Sequence, residues 1–121
     1  MKSLKQNIEI LNGYIDRFKT SGIKNRIAGK DSDGSAGVFT TVSPVDKSKI
    51  CNVALSTESD INKAAIAAHD AFEGWRDLKA KDRQKLLIRI AEAIEGRAEE
   101  IALCECWDTG QAYKFMSKAA L

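Results

Sequence analysis

Apolar positions repeat along the chain with two different periods, and the change between them divides the sequence into parts. Leu4, Ile8, Leu11, Ile15 and Phe18 recur at steps of four, three, four and three, which lines one face of a helix running to about Thr20. Ser21 and Gly22 stop it. The opposite face carries Lys5, Glu9, Asn12, Asp16 and Lys19, mixed in sign and without an aromatic belt, so docking on protein is favoured over lying in a membrane surface. From Ile23 to Leu55 the helical period disappears. Short β-prone runs alternate with Gly, Asp, Ser and Pro, which predicts strands near Asn25 to Ala28, Val38 to Val42 and Lys49 to Ala54.

The helical period returns at Thr57. Thr57 with Asp60 forms a capping box with Asp in place of Glu, and Ile61, Ala65, Ala68, Phe72 and Trp75 then predict a buried stripe, loosened at its end by Gly74. A further helix is expected from about Asp82, burying Leu86 or Leu87, Ile90 and Ile94 before Gly96. Another follows from Arg97, with Ala98, Ile101, Ala102 and Trp107 turned inward. Asp108-Thr109-Gly110-Gln111 reads as its terminus, with Gly110 in the left-handed cap position and a new helix from Ala112. Tyr113, Met116 and Ala120 continue an apolar stripe, and no Gly, Asn or Pro closes it before Leu121, so the pattern predicts an element cut short.

A length of 121 residues suits one ordinary core. Composition is that of a globular protein, 44% apolar and 30% charged with a net charge of +2. The basic excess is confined to the first thirty residues, which leaves no continuous stripe for nucleic acid. No apolar run approaches the roughly 20 residues of a membrane span. The start, MKSLKQNIEIL, lacks the features of a signal peptide, and three cysteines are an odd number, so a reducing cytoplasm is the expected location.

Candidate chemistry is sparse. Cys104 and Cys106 are two apart on a helix and point about 200° from each other, so they cannot share one metal or one bridge. Cys51 falls on a strand and reads as a small buried hydrophobe. The loop GKDSDGSAG fails as a phosphate cradle, because Lys24 stands where the first glycine is needed, and fails as a calcium loop, because Ala36 and Val42 stand where Gly and Glu are required. A solvated turn is expected there. His69 has no nucleophile to activate and reads as a surface or boundary residue. Glu92, Glu95, Glu99, Glu100 and Glu105 alternate with Arg89 and Arg97 as a solvated helix face.

Three stretches in succession carry a resemblance: FTTVSPVDKSKICNVA, TESDINKAAIAAHDAFEGW, and RQKLLIRIAEAIEGRAEEIALCECWDTGQ. In this order and spacing they resemble the opening of an NAD(P)-dependent aldehyde dehydrogenase. The first helix and the run YKFMSKAAL resemble the subgroup acting on hydroxymuconic semialdehydes. The resemblance implies an α/β fold of which this segment is the mostly helical part: an N-terminal helix, a short β-hairpin region and three to four further helices. It implies residues 1–22 as an N-terminal amphipathic helix and residues 23–121 as the incomplete opening of a coenzyme-binding domain.

The family oxidises aldehydes with a Cys thiolate, an oxyanion-holding Asn, a Glu that activates water, and NAD or NADP as hydride acceptor. None of those motifs, nor the dinucleotide-binding glycines, occurs here, so no catalytic and no cofactor-binding residue is assigned. The segment alone is expected to be inactive and to bind no coenzyme. Its expected partner is the rest of a dehydrogenase chain or subunit; the alternative is a small interaction module that binds such a subunit through Leu4 to Phe18 and Tyr113 to Leu121. The resemblance also implies a structural sodium or potassium ion at Thr41, Val42 and Asp108, with a further ligand from beyond residue 121.

Overall fold

A computed structural model describes residues 2–119. The chain runs α1 (Leu4–Ser21), β1 (Asn25–Ile27), β2 (Lys30–Ser32), β3 (Val38–Val42), β4 (Lys49–Ala54), α2 (Glu58–Arg76), α3 (Ala80–Glu95), α4 (Ala98–Thr109) and α5 (Tyr113–Ala119). The four strands form two antiparallel pairs, β1 with β2 and β3 with β4. Ile23 adds a short parallel bridge to β4 on the side away from β3.

Helix α1 starts where its sequence places it. Ser3 is the N-cap, its hydroxyl accepting from Gln6 N–H while the Gln6 side chain accepts from Ser3 N–H at 2.8 Å, so two otherwise orphaned donors are satisfied. Gly22 ends the helix at φ 66°, and its N–H reaches back to Phe18 O. The stripe read from the sequence then packs: Leu11 and Ile15 meet Leu103 of α4, with Tyr14, Trp107 and Tyr113 around them. Burying aliphatic groups of this size stabilises the contact by about 1.5–3 kcal/mol each.

The loop GKDSDGSAG holds a strand the sequence did not signal. Ala28 and Gly29, both at positive φ, form a two-residue hairpin turn that pairs Ile27 with Lys30, Arg26 with Asp31 and Asn25 with Ser32. The strand expected to reach Ala28 therefore ends at Ile27. Further on, Gly34 lies so close to the Leu55 carbonyl that a Cβ at this position would overlap it.

The helices after Thr57 form as their period predicts, but their stripes are not buried. Ile61 is 63% exposed and Phe72 54% exposed on α2, whose only buried residue is Asp60. On α3 no residue is buried, and Ile90 is 55% exposed. The physical reason is position: among the described elements the one extended contact of α2 is with β1, and α3 makes none. In α4 the inward face is Ala102 and Leu103, while Ile101, expected inside, is half exposed. Tyr113 and Met116 are half-buried on α5, and Ala120 falls outside the described residues.

Candidate functional site

The end of β3, the turn after it and the end of α4 are fastened together. Ser43 is fully buried; its hydroxyl donates to Trp107 O at 2.6 Å and accepts from Val45 N–H at 3.2 Å. Gly110 takes the left-handed conformation (φ 76°, ψ 9°) expected at a helix end, and a Cβ there would press on the Pro44 ring at 3.2 Å. Thr41 Oγ1 donates to Asp108 Oδ1 at 3.4 Å. Thr41 and Asp108, which lie 67 positions apart, are thus brought together, and Val42 follows directly with its side chain half exposed. The donors available here are a carboxylate, a hydroxyl and carbonyls at the negative end of a helix, a set of hard oxygens. Among the described residues no group of three or more His, Cys, Asp or Glu side chains gathers as transition-metal ligands.

A cleft of about 570 Å³ opens beside this junction, between α1, the β3–β4 hairpin and α4, lined among others by Phe18, Phe39, Cys51, Glu100, Cys104 and Trp107. Its thiols are not activated. Burial pushes the Cys51 thiol up, and the Asp108 carboxylate adds to the shift; burial and then Glu100 do the same to Cys104. Cys106 is raised by burial and by Glu105. A nucleophilic cysteine needs the opposite shift. His69 is exposed on α2.

Two acids have structural roles that the sequence pattern disclosed in part, for Asp60, or not at all, for Glu100. Glu100, grouped by its spacing with a solvated face, is buried and accepts from Arg97 Nε at 2.8 Å and Arg97 Nη2 at 2.7 Å, while Arg17 of α1 donates to the same oxygen as Arg97 Nη2. The Arg97 hydrogen bonds hold its carboxyl below the usual range. Asp60 accepts from Thr57 N–H at 3.0 Å, the returning half of the capping box. It also accepts from Ser35 N–H at 2.9 Å and Ser35 Oγ at 2.6 Å. These bonds, led by that of the Ser35 hydroxyl, depress its carboxyl strongly. Its position at N3 of a helix gave part of this in advance; the Ser35 contact, 25 residues away, had no sequence signal.

Residues 30–120 match the model of the aldehyde dehydrogenase family. The chain belongs to that family. It is 41% identical over 90 residues to mouse (Mus musculus) cytosolic 10-formyltetrahydrofolate dehydrogenase, a match covering 73% of this chain and 10% of the relative. In three dimensions it is similar to HpcC from Thermus thermophilus, with a TM-score of 0.87 and 33% identity over 93% of this chain and 22% of that one. It is also similar to PnpE, solved in complex with nicotinamide adenine dinucleotide, with a TM-score of 0.74 and 34% identity over 78% of this chain and 20% of that one. The chain thus spans about a tenth of the length of the curated relative and about a fifth of the solved ones. The aldehyde dehydrogenase fold and the mostly helical character of the segment agree with the sequence reading.

Proposed function

We propose that this chain is the opening segment of an NAD(P)-dependent aldehyde dehydrogenase subunit, which oxidises an aldehyde to a carboxylic acid. The observation that carries the reading is the coverage: the likeness to HpcC takes in 93% of this chain but 22% of that one, so it exhausts this chain and leaves most of the relative over. In this reading residues 1–22 are an amphipathic arm and residues 23–121 begin the coenzyme domain. The thiolate, the water-activating Glu and the dinucleotide cradle belong to sequence that is not among these 121 residues. The segment alone turns over no aldehyde and binds neither NAD nor NADP. Its partner is the remainder of a dehydrogenase chain or subunit in a cytoplasmic oligomer, with no role for nucleic acid or membrane; among the described residues no helix is long and apolar enough to cross one. A hydroxymuconic semialdehyde is the proposed substrate class, on the resemblance of α1 and of YKFMSKAAL.

A structural sodium or potassium ion belongs to the same reading. Asp108 and Thr41, already side by side, would supply a carboxylate and a backbone oxygen, and Val42 a carbonyl. Such an ion would tie the end of α4 to the β3 turn.

Incubation of the chain with NAD or NADP and a panel of aldehydes tests inactivity directly: no NADH or NADPH absorbance should appear above a buffer control. Turnover by the chain alone would show that the reactive residues have been misplaced. The second reading, a small module that docks on a dehydrogenase subunit through Leu4 to Phe18 and Tyr113 to Leu121, draws support from the exposed side chains of Leu4, Ile8 and Phe115, while Leu11 and Ile15 of the same stripe already pack against Leu103. Co-elution with a family subunit in size-exclusion chromatography would favour it, and separate elution would remove it.

A further inference from the structure

Ser43 holds two peptide groups at once, and each carries an oxygen of the proposed cation site. On the strand side its N–H donates to Ser48 O at 2.9 Å, and its carbonyl accepts from Lys47 N–H at 2.9 Å. The N–H of Ser43 and the carbonyl of Val42 belong to one trans peptide plane and point in opposite directions, so the bond to Ser48 turns the Val42 carbonyl out of the hairpin. On the helix side the Ser43 hydroxyl donates to Trp107 O at 2.6 Å. That carbonyl carbon is bonded to the nitrogen of Asp108, so the same hydroxyl fixes the plane from which the Asp108 side chain departs. Both planes therefore meet at one residue, and the hydroxyl couples them.

The end of α4 closes without this bond. Gly110 N–H donates to Cys106 O at 2.9 Å and Thr109 Oγ1 to Glu105 O at 2.7 Å, while Trp107 O is among the last carbonyls, which no later turn of the helix can pair. Such groups are commonly left to water; this one is taken by a wholly buried hydroxyl from another element. By contrast the Asp108 carboxylate is held loosely, accepting from Thr41 Oγ1 at 3.4 Å, long for a hydroxyl donor. A carboxylate that can shift, on a peptide that cannot, suits a hard cation, since the oxygen settles on the ion while its anchor stays in place. We propose that Ser43 is a positioning residue for the sodium or potassium ion: it fixes the Val42 carbonyl and the Asp108 carboxylate relative to each other before the ion arrives, and binds no ion itself. The inference rests on the cation reading above and goes beyond it by naming the group that joins donors from a strand and a helix into one site.

Thermal unfolding of the full 121-residue chain, with sodium or potassium chloride replacing choline chloride at constant ionic strength, reads the ion through the rise in Tm that binding to the folded state produces. The wild type should show the rise, and Asp108→Asn should not. Ser43→Ala should need about ten-fold more cation for the same rise, the size of effect that losing an outer-shell partner has at metal sites. A residue that served stability alone would lower Tm at every cation concentration and leave the response unchanged, as Leu103→Ala, cut in the core between α1 and α4, is expected to do. A Ser43→Ala response equal to that of the wild type, or a Leu103→Ala response lowered as far, would overturn the inference and leave the cation reading standing. No rise in the wild type, or the same rise in Asp108→Asn, would overturn the cation reading and the inference with it. Should Ser43→Ala fail to fold, Ser43→Cys decides: the thiol has nearly the same shape but donates weakly, so its response should also fall, and an undiminished one overturns the inference.

Discussion

The two halves of this chain have similar amphipathic patterns and opposite fates. In the first group, α1, the β3–β4 hairpin and α4, the apolar stripes close on one another: Leu11, Ile15 and Leu103 are each 4% exposed, and Glu100 ties the two helices through Arg17 and Arg97. In the second, α2 and α3 also carry apolar stripes, yet Ile61, Phe72, Leu87 and Ile90 stay half exposed or more. Periodicity thus reports which face a helix means to bury and says nothing about whether the covering surface lies in the same chain.

Substitutions can test that contrast. Leu103→Ala removes a buried side chain from the packed group and should cost about 2–4 kcal/mol, measured by urea denaturation. Breaking the ion cluster comes next: Glu100→Gln should cost about 1–3 kcal/mol, because two guanidinium groups lose a buried carboxylate partner. The sign of its pH dependence follows from the depressed carboxyl. The stabilisation is complete above the unfolded-state value, about pH 4.3, and is lost as pH falls through the lower folded value. The variant should therefore show a shallower loss of stability in acid, and Asp60, depressed in the same direction, should sustain the remaining slope. Gly110→Ala forces a left-handed residue to carry a Cβ against Pro44 and should cost about 1–2 kcal/mol. At the bottom of the order, Ile90→Ala on α3 should change stability by less than about 0.5 kcal/mol. A large loss there would mean that α3 is covered in solution by a second molecule.

Much of the architecture could be read from local signals. Ser3, Gly22, Thr57 with Asp60, and Gly110 mark helix ends by chemistry that acts within a few residues, and Gly22, the Thr57 box and Gly110 stand where the pattern places them. Strand β2 escaped because Lys30-Asp31-Ser32 has no β-branched or aromatic residue; its pairing is set by the turn at Ala28 and Gly29, and an alanine at positive φ advertises nothing. The Arg26 and Asp31 side chains, 2.7 Å apart across the two strands, were the available hint. At the β3–α4 junction the residues Thr41, Val42 and Asp108 came from family likeness, whereas Ser43, whose hydroxyl does the fastening, was not singled out. Glu100 was misplaced on the solvent face because its partner Arg17 is 83 residues away and periodicity is blind to such pairs.

The wholly enclosed sulfur of Cys51 gives the chain an internal clock. An alkylating reagent can reach it only when the hairpin parts from the cleft, while Cys104 and Cys106, partly accessible, are open to it without that motion. Mass spectrometry of the three labelled peptides over time would therefore separate breathing of the hairpin from the behaviour of the helix beside it, in a single tube and without any substitution.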